Sequence, residues 1–260
     1  MNTKILDISE VVVPKVATSV HSTKERKEEE KYEIADVSSE IKSIGIHKNQ
    51  NKILTYLNLF IKRIGDILGS VVGIIFLIPI TIIVAIVNVL HKDYGPIFYS
   101  HKRIGKNGKY FKMYKFRTMV VDADKKLAEL LENDEEARKE WDMNRKLKND
   151  PRITKIGKIL RKTSIDEFPQ FINVLKGDMS LVGPRAVIDG EIEKFGIYKK
   201  DILSVKPGIT GYWAANGRSS TSYDERVFME YKYVENFSIF MDVKILIKTV
   251  VSVLKKEGAV

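Results

Sequence analysis

The sequence predicts an α+β fold: a mainly helical monotopic membrane protein with a re-entrant membrane helix, a β-hairpin and interfacial amphipathic helices. Three observations carry that expectation. From Ile67 to Leu90 the chain runs 24 residues without a charge, dominated by Ile, Val and Leu. Asn107-Gly108 separates two extended, alternating runs. Near the C-terminus, Asp242–Lys256 sets Ile245, Leu246, Val250, Val253 and Leu254 at helical spacing among four lysines.

The uncharged run, wound at about 1.5 Å per residue, is long enough for a hydrocarbon core of roughly 30 Å. A core helix of a water-soluble domain is seldom apolar for that length. Pro79 falls in the middle, where it removes a backbone hydrogen bond and bends a helix. Both flanks are cationic, with Lys52, Lys62 and Arg63 before and Lys92, Lys102 and Arg103 after. Cationic flanks favour the cytoplasmic side, so both ends are expected there, with the helix breaking at Pro79 and returning. A tilted straight span is the alternative.

The other elements follow in order. Residues 1–50 are poor in apolar side chains and carry the charge cluster Lys24–Lys31, which could be helical or disordered, so they are expected to be a polar extension. No secretory signal is expected in the first thirty residues, which lack a long apolar core. Residues 51–93 then hold the membrane helix with its flanks, and 94–260 a further domain. In the hairpin, Ile97–Arg103 and Tyr110–Met119 flank the Asn-Gly turn. Asp122–Asn149 is expected as one charged, solvated helix, its apolar positions too sparse to bury more than one side. Asp242–Lys256 could serve equally as an interfacial helix or as part of the core.

Charge is unevenly placed. The chain carries a net +10, yet residues 1–60 hold nine Lys/Arg and nine Asp/Glu, so the excess lies beyond them and points to anionic partners. Lys102 to Arg117 includes seven Lys/Arg and no acid. The chain has no cysteine, which excludes disulfides, thiolate metal sites and cysteine nucleophiles. The four histidines (21, 47, 91 and 101) lack zinc or triad spacing, and no glycine-rich nucleotide loop is present.

What remains is a carboxylate pair. In Thr163–Asn173, Asp166 and Glu167 stand where a helix is expected to begin, capped by Ser164 or Asp166, with Pro169 in the first turn and Gly177 closing the element. Acids at that place commonly do no more than complement the helix dipole. Here they follow the all-basic approach Arg152, Lys155, Lys158, Arg161 and Lys162. Such a pair can attack phosphorus or hold Mg2+ against substrate phosphates, and helix-end polarity would keep Asp166 ionised. Two turn-rich loops follow, Lys176–Arg185 and Lys206–Arg218.

Seven ordered motifs tie these pieces to a known family: Lys62-Arg-Ile-Gly-Asp66, Phe111-Lys-Met-Tyr-Lys-Phe-Arg-Thr-Met119, Asp150-Pro-Arg-Ile-Thr-Lys-Ile-Gly157, Ser164-Ile-Asp-Glu-Phe-Pro-Gln170, Asn173-Val-Leu-Lys-Gly-Asp-Met-Ser-Leu-Val-Gly-Pro-Arg185, Lys206-Pro-Gly-Ile-Thr-Gly211 and Tyr233-Val-Glu-Asn-Phe-Ser238. Over about residues 58–257 the chain resembles bacterial sugar transferases of the monotopic phosphoglycosyl transferase superfamily. The resemblance implies transfer of a hexose 1-phosphate from a UDP-sugar to undecaprenyl phosphate through a covalent phosphosugar-enzyme intermediate, with Mg2+ and release of UMP. This would be the first membrane step of exopolysaccharide, capsule or glycoconjugate synthesis.

It further implies Asp166 as nucleophile and Mg2+ ligand, and Glu167 as its partner. Arg117, Arg161 and Arg185 would be cations at the donor phosphates, joined by Lys115 and Arg103 of the hairpin, and Pro79 would be the helix break. Residues 94–260 become a cytoplasmic catalytic domain on the bacterial inner membrane, with membrane lipid, donor and acceptor as partners, no nucleic acid, and a homo-oligomer compatible with the pattern. The chain departs from the family at Ile78, where Ser is usual before the proline, at Ala186, where Pro is usual, and at Glu230, where Asp is usual; Glu230 is given no role. A polar stretch stands where longer relatives carry several spans. The rival expectation is a non-catalytic, membrane-tethered cationic module using the Tyr110–Arg117 arm, which leaves the acid pair unexplained.

Overall fold

The computed structural model describes residues 52–144, 146–217 and 221–255. The expected extension over 1–50 lies outside them. Helix α1 covers Lys52–Leu90 and is followed by an antiparallel hairpin, β1 (Phe98–Ile104) and β2 (Tyr110–Phe116). Helices α2 (Ala123–Asn133), α3 (Glu135–Asn144), α4 (Lys155–Lys162) and α5 (Gln170–Lys176) come next, with a 3-10 turn at Ile165–Glu167 before α5. The remainder is β3 (Ser180–Val182), α6 (Asp189–Ile192), a 3-10 segment Glu193–Tyr198, α7 (Lys199–Ile202), β4 (Gly208–Thr210), α8 (Tyr212–Asn216), α9 (Tyr223–Glu235) and α10 (Ile239–Leu254).

Among the described residues, Leu57–Leu90 is the one helix long and apolar enough to cross a membrane. Helical structure continues through Pro79, so the break expected there is not an interruption of the helix. One turn around the proline, the Thr81 hydroxyl donates to the Leu77 carbonyl at 2.8 Å, a bond that bends helices. One stripe of α1 packs on the rest of the protein. Gly69 lies against Leu181 and Gly73 against the Phe171 ring, where small residues permit close approach. Leu77 and Val84 enter a cluster with Phe116 and Leu160. The opposite stripe, including Leu68, Phe76, Ile83 and Leu90, is exposed.

Polar groups pin both ends of this helix to the same body. Lys62 donates to Asp242 at 2.6 Å and to the Val182 carbonyl at 2.9 Å, and Arg63 caps the end of α5 through the Val174 and Leu175 carbonyls. Asp66 accepts from the Ser180 hydroxyl and the Leu181 N–H, both at 2.9 Å, and so sets the position of β3. Beyond the other end, Asp93 pairs with Arg117 at 2.8 Å.

The hairpin forms as the Asn-Gly pair predicts, with Asn107 and Gly108 both at positive φ. The single charged helix expected over Asp122–Asn149 is instead two, α2 and α3. Asp134 between them is extended, and its carboxylate caps α3 by accepting from the Ala137 N–H. Helix α10 has one face in the core and one outside it: Ile245 is buried in a core cluster, while Phe240, Ile247 and Val250 are exposed.

The pairing that shapes the site is the parallel one between β3 and β4, with Ser180 opposite Gly208 and Val182 opposite Thr210. It lays the Gly183–Arg185 loop against the Lys206–Gly211 segment, with Gly183 N–H donating to Thr210 O and Gly208 N–H to Pro184 O.

Candidate active site

Asp166 and Glu167 lie in the 3-10 turn, not at the start of a helix. Helix α5 begins at Gln170, Pro169 stands at its cap, and neither Ser164 nor Asp166 caps it. Ser164 adopts a left-handed conformation (φ 56°), which turns the chain sharply between α4 and the acid pair. Strained single residues of this kind are common at functional sites.

The two acids are held differently. Lys115, projecting from β2, donates to Glu167 Oε1 at 2.7 Å and lies 3.9 Å from Asp166 Oδ2. Asp166 is the more enclosed, its side chain 15% exposed against 33% for Glu167. Burial raises the Asp166 pKa above the ordinary aspartate range; Lys115 opposes this, Glu167 adds to it, and Arg161 opposes it. The α-helix expected to polarise Asp166 begins only at Gln170; Lys115, then Arg161 and a backbone hydrogen bond at Asp166, are what favour the carboxylate.

Glu167 and Lys115 line one end of an open cleft. Arg103, Arg185, Trp213 and Glu230 line it as well. The half-buried guanidinium of Arg103 donates to the Ala186 carbonyl at 3.4 Å, and its buried Nε has no protein partner among the described residues. Burial lowers its pKa, with neighbouring Arg185 lowering it further. Two neighbouring guanidiniums, Arg103 half-buried with an unused donor and Arg185 exposed, favour an anion between them.

The structure thus brings Asp166, Glu167, Lys115, Arg103 and Arg185 to one region. Arg161 stands beside Asp166, its Nε donating to the Thr118 hydroxyl at 2.9 Å; of the acid pair only Glu167 lines the cleft, and neither Asp166 nor Arg161 does. Arg117 is a correction. Its Nε donates to Pro96 O, Nη1 to Met119 O and Nη2 to Asp93, so all three nitrogens clamp the segment after α1 onto β2. The same clamp holds the Asp93 carboxyl below the usual carboxylate range. Arg117→Ala is expected to lower stability by roughly 2–4 kcal/mol, because it strands a carboxylate and two carbonyls. Thermal unfolding in detergent checks this; an unchanged melting temperature with a raised donor KM would restore a phosphate-binding role.

Glu230 was given no role, and it lines the cleft. Its side chain is 1% exposed; Oε1 accepts from the Arg185 N–H at 3.0 Å, and Oε2 has no protein partner among the described residues. Burial pushes its pKa up to about 7, opposed by the Arg185 N–H bond and by the Arg226 and Arg185 charges. The signal the sequence offers is its family position, where an acid is usual. Only the packing of α9 under the Gly183–Arg185 loop reveals its burial.

Magnesium typically takes one or two carboxylates and completes its shell with water and substrate phosphates. The described residues contain no group of three or more His, Cys, Asp or Glu able to cage a metal by themselves. Asp166 beside Glu167 fits a metal that shares its ligands with a phosphorylated substrate.

Comparison with known proteins agrees with this chemistry. The family model for bacterial sugar transferases matches residues 57–256. The undecaprenyl-phosphate galactose phosphotransferase of Salmonella typhimurium is 45% identical over 81% of this chain and 44% of its own length. An exopolysaccharide production protein of Rhizobium meliloti is 41% identical over 76% of this chain and 87% of its own. The UDP-N-acetylgalactosamine-undecaprenyl-phosphate N-acetylgalactosaminephosphotransferase of Aeromonas hydrophila is 34% identical over 86% and 51%. The chain spans less than half the length of the Salmonella relative. With two thirds or more of its residues matched, the chain belongs to the bacterial sugar transferase family.

Proposed function

We propose that the protein transfers a hexose 1-phosphate from a UDP-hexose to undecaprenyl phosphate at the cytoplasmic face of the bacterial inner membrane. The observation that carries this reading is the acid pair bridged by Lys115, whose Glu167 lines a cation-lined cleft, in a body docked along an apolar helix. The three named relatives support the substrate classes: each name specifies a lipid phosphate acceptor, a sugar-phosphate transfer or a polysaccharide product.

In the first step an Asp166 carboxylate oxygen bonds to the sugar-proximal phosphorus. The bond from that phosphorus to the bridging oxygen breaks, and UMP leaves with the electron pair. Lys115, held by Glu167, lies close enough to Asp166 to orient it and offset charge as the negative donor approaches. Arg103 and Arg185 bind the departing phosphate. In the second step an oxygen of undecaprenyl phosphate attacks the same phosphorus and Asp166 is released as a carboxylate. Glu167, the more open acid, accepts the remaining acceptor proton, since phosphate monoesters still hold one near neutrality. Asp166 would hold Mg2+, which would supply further charge neutralisation at the phosphates.

The acceptor's head must reach Asp166 from the bilayer, and the placement of α1 favours a re-entrant helix. Lys62 and Arg63 near one end and Asp93 just past the other all bond to the same body, which a straight crossing would drag through the hydrocarbon. The exposed apolar stripe of α1 then faces acyl chains, and the exposed face of α10 lies at the interface. As the chain lacks cysteine, Leu57→Cys and His91→Cys each provide a unique thiol. Both are expected to resist an impermeant maleimide in intact cells and to react after permeabilisation; labelling of one alone in intact cells would mean a span.

The activity is tested by incubating purified protein with UDP-hexoses, Mg2+ and undecaprenyl phosphate. UMP release with formation of a lipid-linked diphosphosugar is expected from at least one donor. Failure across a panel of glucose, galactose and their N-acetylated forms would refute the reading.

A further inference from the structure

The cleft has a direction. On β2, Met113 and Lys115 share a face, and Arg103 joins them through its pairing with Phe111. Lys115 marks the acid pair. Arg103, four residues back along the strand ladder or roughly 13 Å away, marks the Ala186 carbonyl. Next to Ala186, the backbone of Arg185 is bound to Glu230 and its guanidinium lies 5.9 Å from the Trp213 ring centre. From the reacting end the order is acid pair, cations, then an aromatic plate beside a buried carboxylate. A group past the cations is separated from the attacked phosphorus by a second phosphate, which on a nucleoside diphosphate sugar is the nucleoside side.

The far end is built to receive a polar ligand. Glu230 has no other oxygen to spare, because Oε1 is fixed by Arg185 N–H. Its Oε2 is buried, without a hydrogen-bond partner among the described residues, and 3.6 Å from where a side chain on Gly211 would begin, so that glycine leaves the approach open. A buried unpaired carboxylate oxygen is costly until a donor meets it. Trp213 is held by its own N–H to the Thr221 hydroxyl at 2.7 Å and backed by Arg226, 4.9 Å from the ring centre. That leaves a rigid flat surface beside an acceptor, the chemistry that recognises a base or ribose.

Resting on the transferase reading above, we propose that Trp213 and Glu230 form the nucleoside subsite, with Glu230 Oε2 accepting one N–H or O–H of the uridine and Arg103 and Arg185 holding the phosphate that leaves with it. The transferred hexose then lies away from this end, toward Asp166 and beyond. Donor recognition and sugar choice are separate in space.

The test is calorimetric binding of UMP, UDP-hexose and hexose 1-phosphate to the full chain in detergent with Mg2+, for wild type and Glu230→Gln. The Gln side chain must turn its carbonyl to the Arg185 N–H, and so aims its NH2 at the ligand's donor. Affinity for UMP and for UDP-hexose is expected to fall by the same factor, at least about tenfold, with hexose 1-phosphate unchanged. Trp213→Leu should follow the same pattern. A wild-type melting temperature for Glu230→Gln, with the UMP-induced upward shift lost, excludes misfolding as the cause. Unchanged UMP affinity with weakened hexose 1-phosphate binding would overturn the subsite and leave the proposed transferase standing. Wild type that binds neither UMP nor UDP-hexose would remove both.

Discussion

Asp166→Asn is expected to abolish label transfer from a UDP-sugar carrying labelled sugar phosphate onto the protein, and with it UMP release. The amide of Asn is close in shape to the carboxylate but has no anionic oxygen to bond to phosphorus, so turnover should fall by at least about 10³-fold. Glu167→Gln is the informative partner. If Glu167 accepts the acceptor's proton, its variant still takes up label on Asp166, but discharge to undecaprenyl phosphate slows. Full turnover by Asp166→Asn would dismiss the nucleophile assignment. Labelling that persists with no turnover would move the covalent site elsewhere.

The same carboxylate gives a pH signature. Burial raises the Asp166 pKa, so the reactive carboxylate form is lost as pH falls through a value above the usual aspartate range. The acid limb of kcat/KM should lie correspondingly high. Lys115 is the strongest group opposing that shift. Lys115→Met should therefore move the limb further up in pH as well as lower the plateau, a shift that a merely structural lysine would not produce.

Much of this site was legible in the residues because its signals are local. An uncharged apolar run, an Asn-Gly turn and two adjacent acids after a basic stretch each stand within a short window. What escaped depends on distant partners. Arg117 has the charge of a phosphate binder, but only the return of the chain at Asp93 and Pro96 shows its donors consumed. Strands β3 and β4 are too short for periodicity and pair across 25 intervening residues. Glu230 carries no role in the sequence reading because it departs from the aspartate usual at that family position, and burial by a separate loop is invisible in its neighbours. Pro79 was read as a helix break, yet a proline bends a helix without ending it when packing holds both halves, as Leu77 and Val84 show here.

The crossing of β3 and β4 concentrates the largest structural effect. Gly208 lies so close to its partner that a Cβ there would overlap Gly183 N and Thr210 O, both backbone atoms that cannot swing aside. Gly183 and Gly211 are similarly hemmed in, by Lys206 O and Gly183 O. None of these three needs a positive φ; what they need is the missing side chain, because two backbones pass in contact. Gly208→Ala must therefore push the strands apart. That would break the Gly183-to-Thr210 and Gly208-to-Pro184 hydrogen bonds and carry the Arg185 backbone away from Glu230. A loss of more than about 4 kcal/mol is expected, enough to leave little folded protein in detergent and no UMP release. Gly190→Ala is the matched control: nothing lies within 4 Å of its added Cβ, and it should stay within about 0.5 kcal/mol of wild type. Chemical unfolding of both variants decides the matter. If Gly208→Ala unfolds with Gly190→Ala and turns over normally, the crossing is not what holds Arg185 at the cleft.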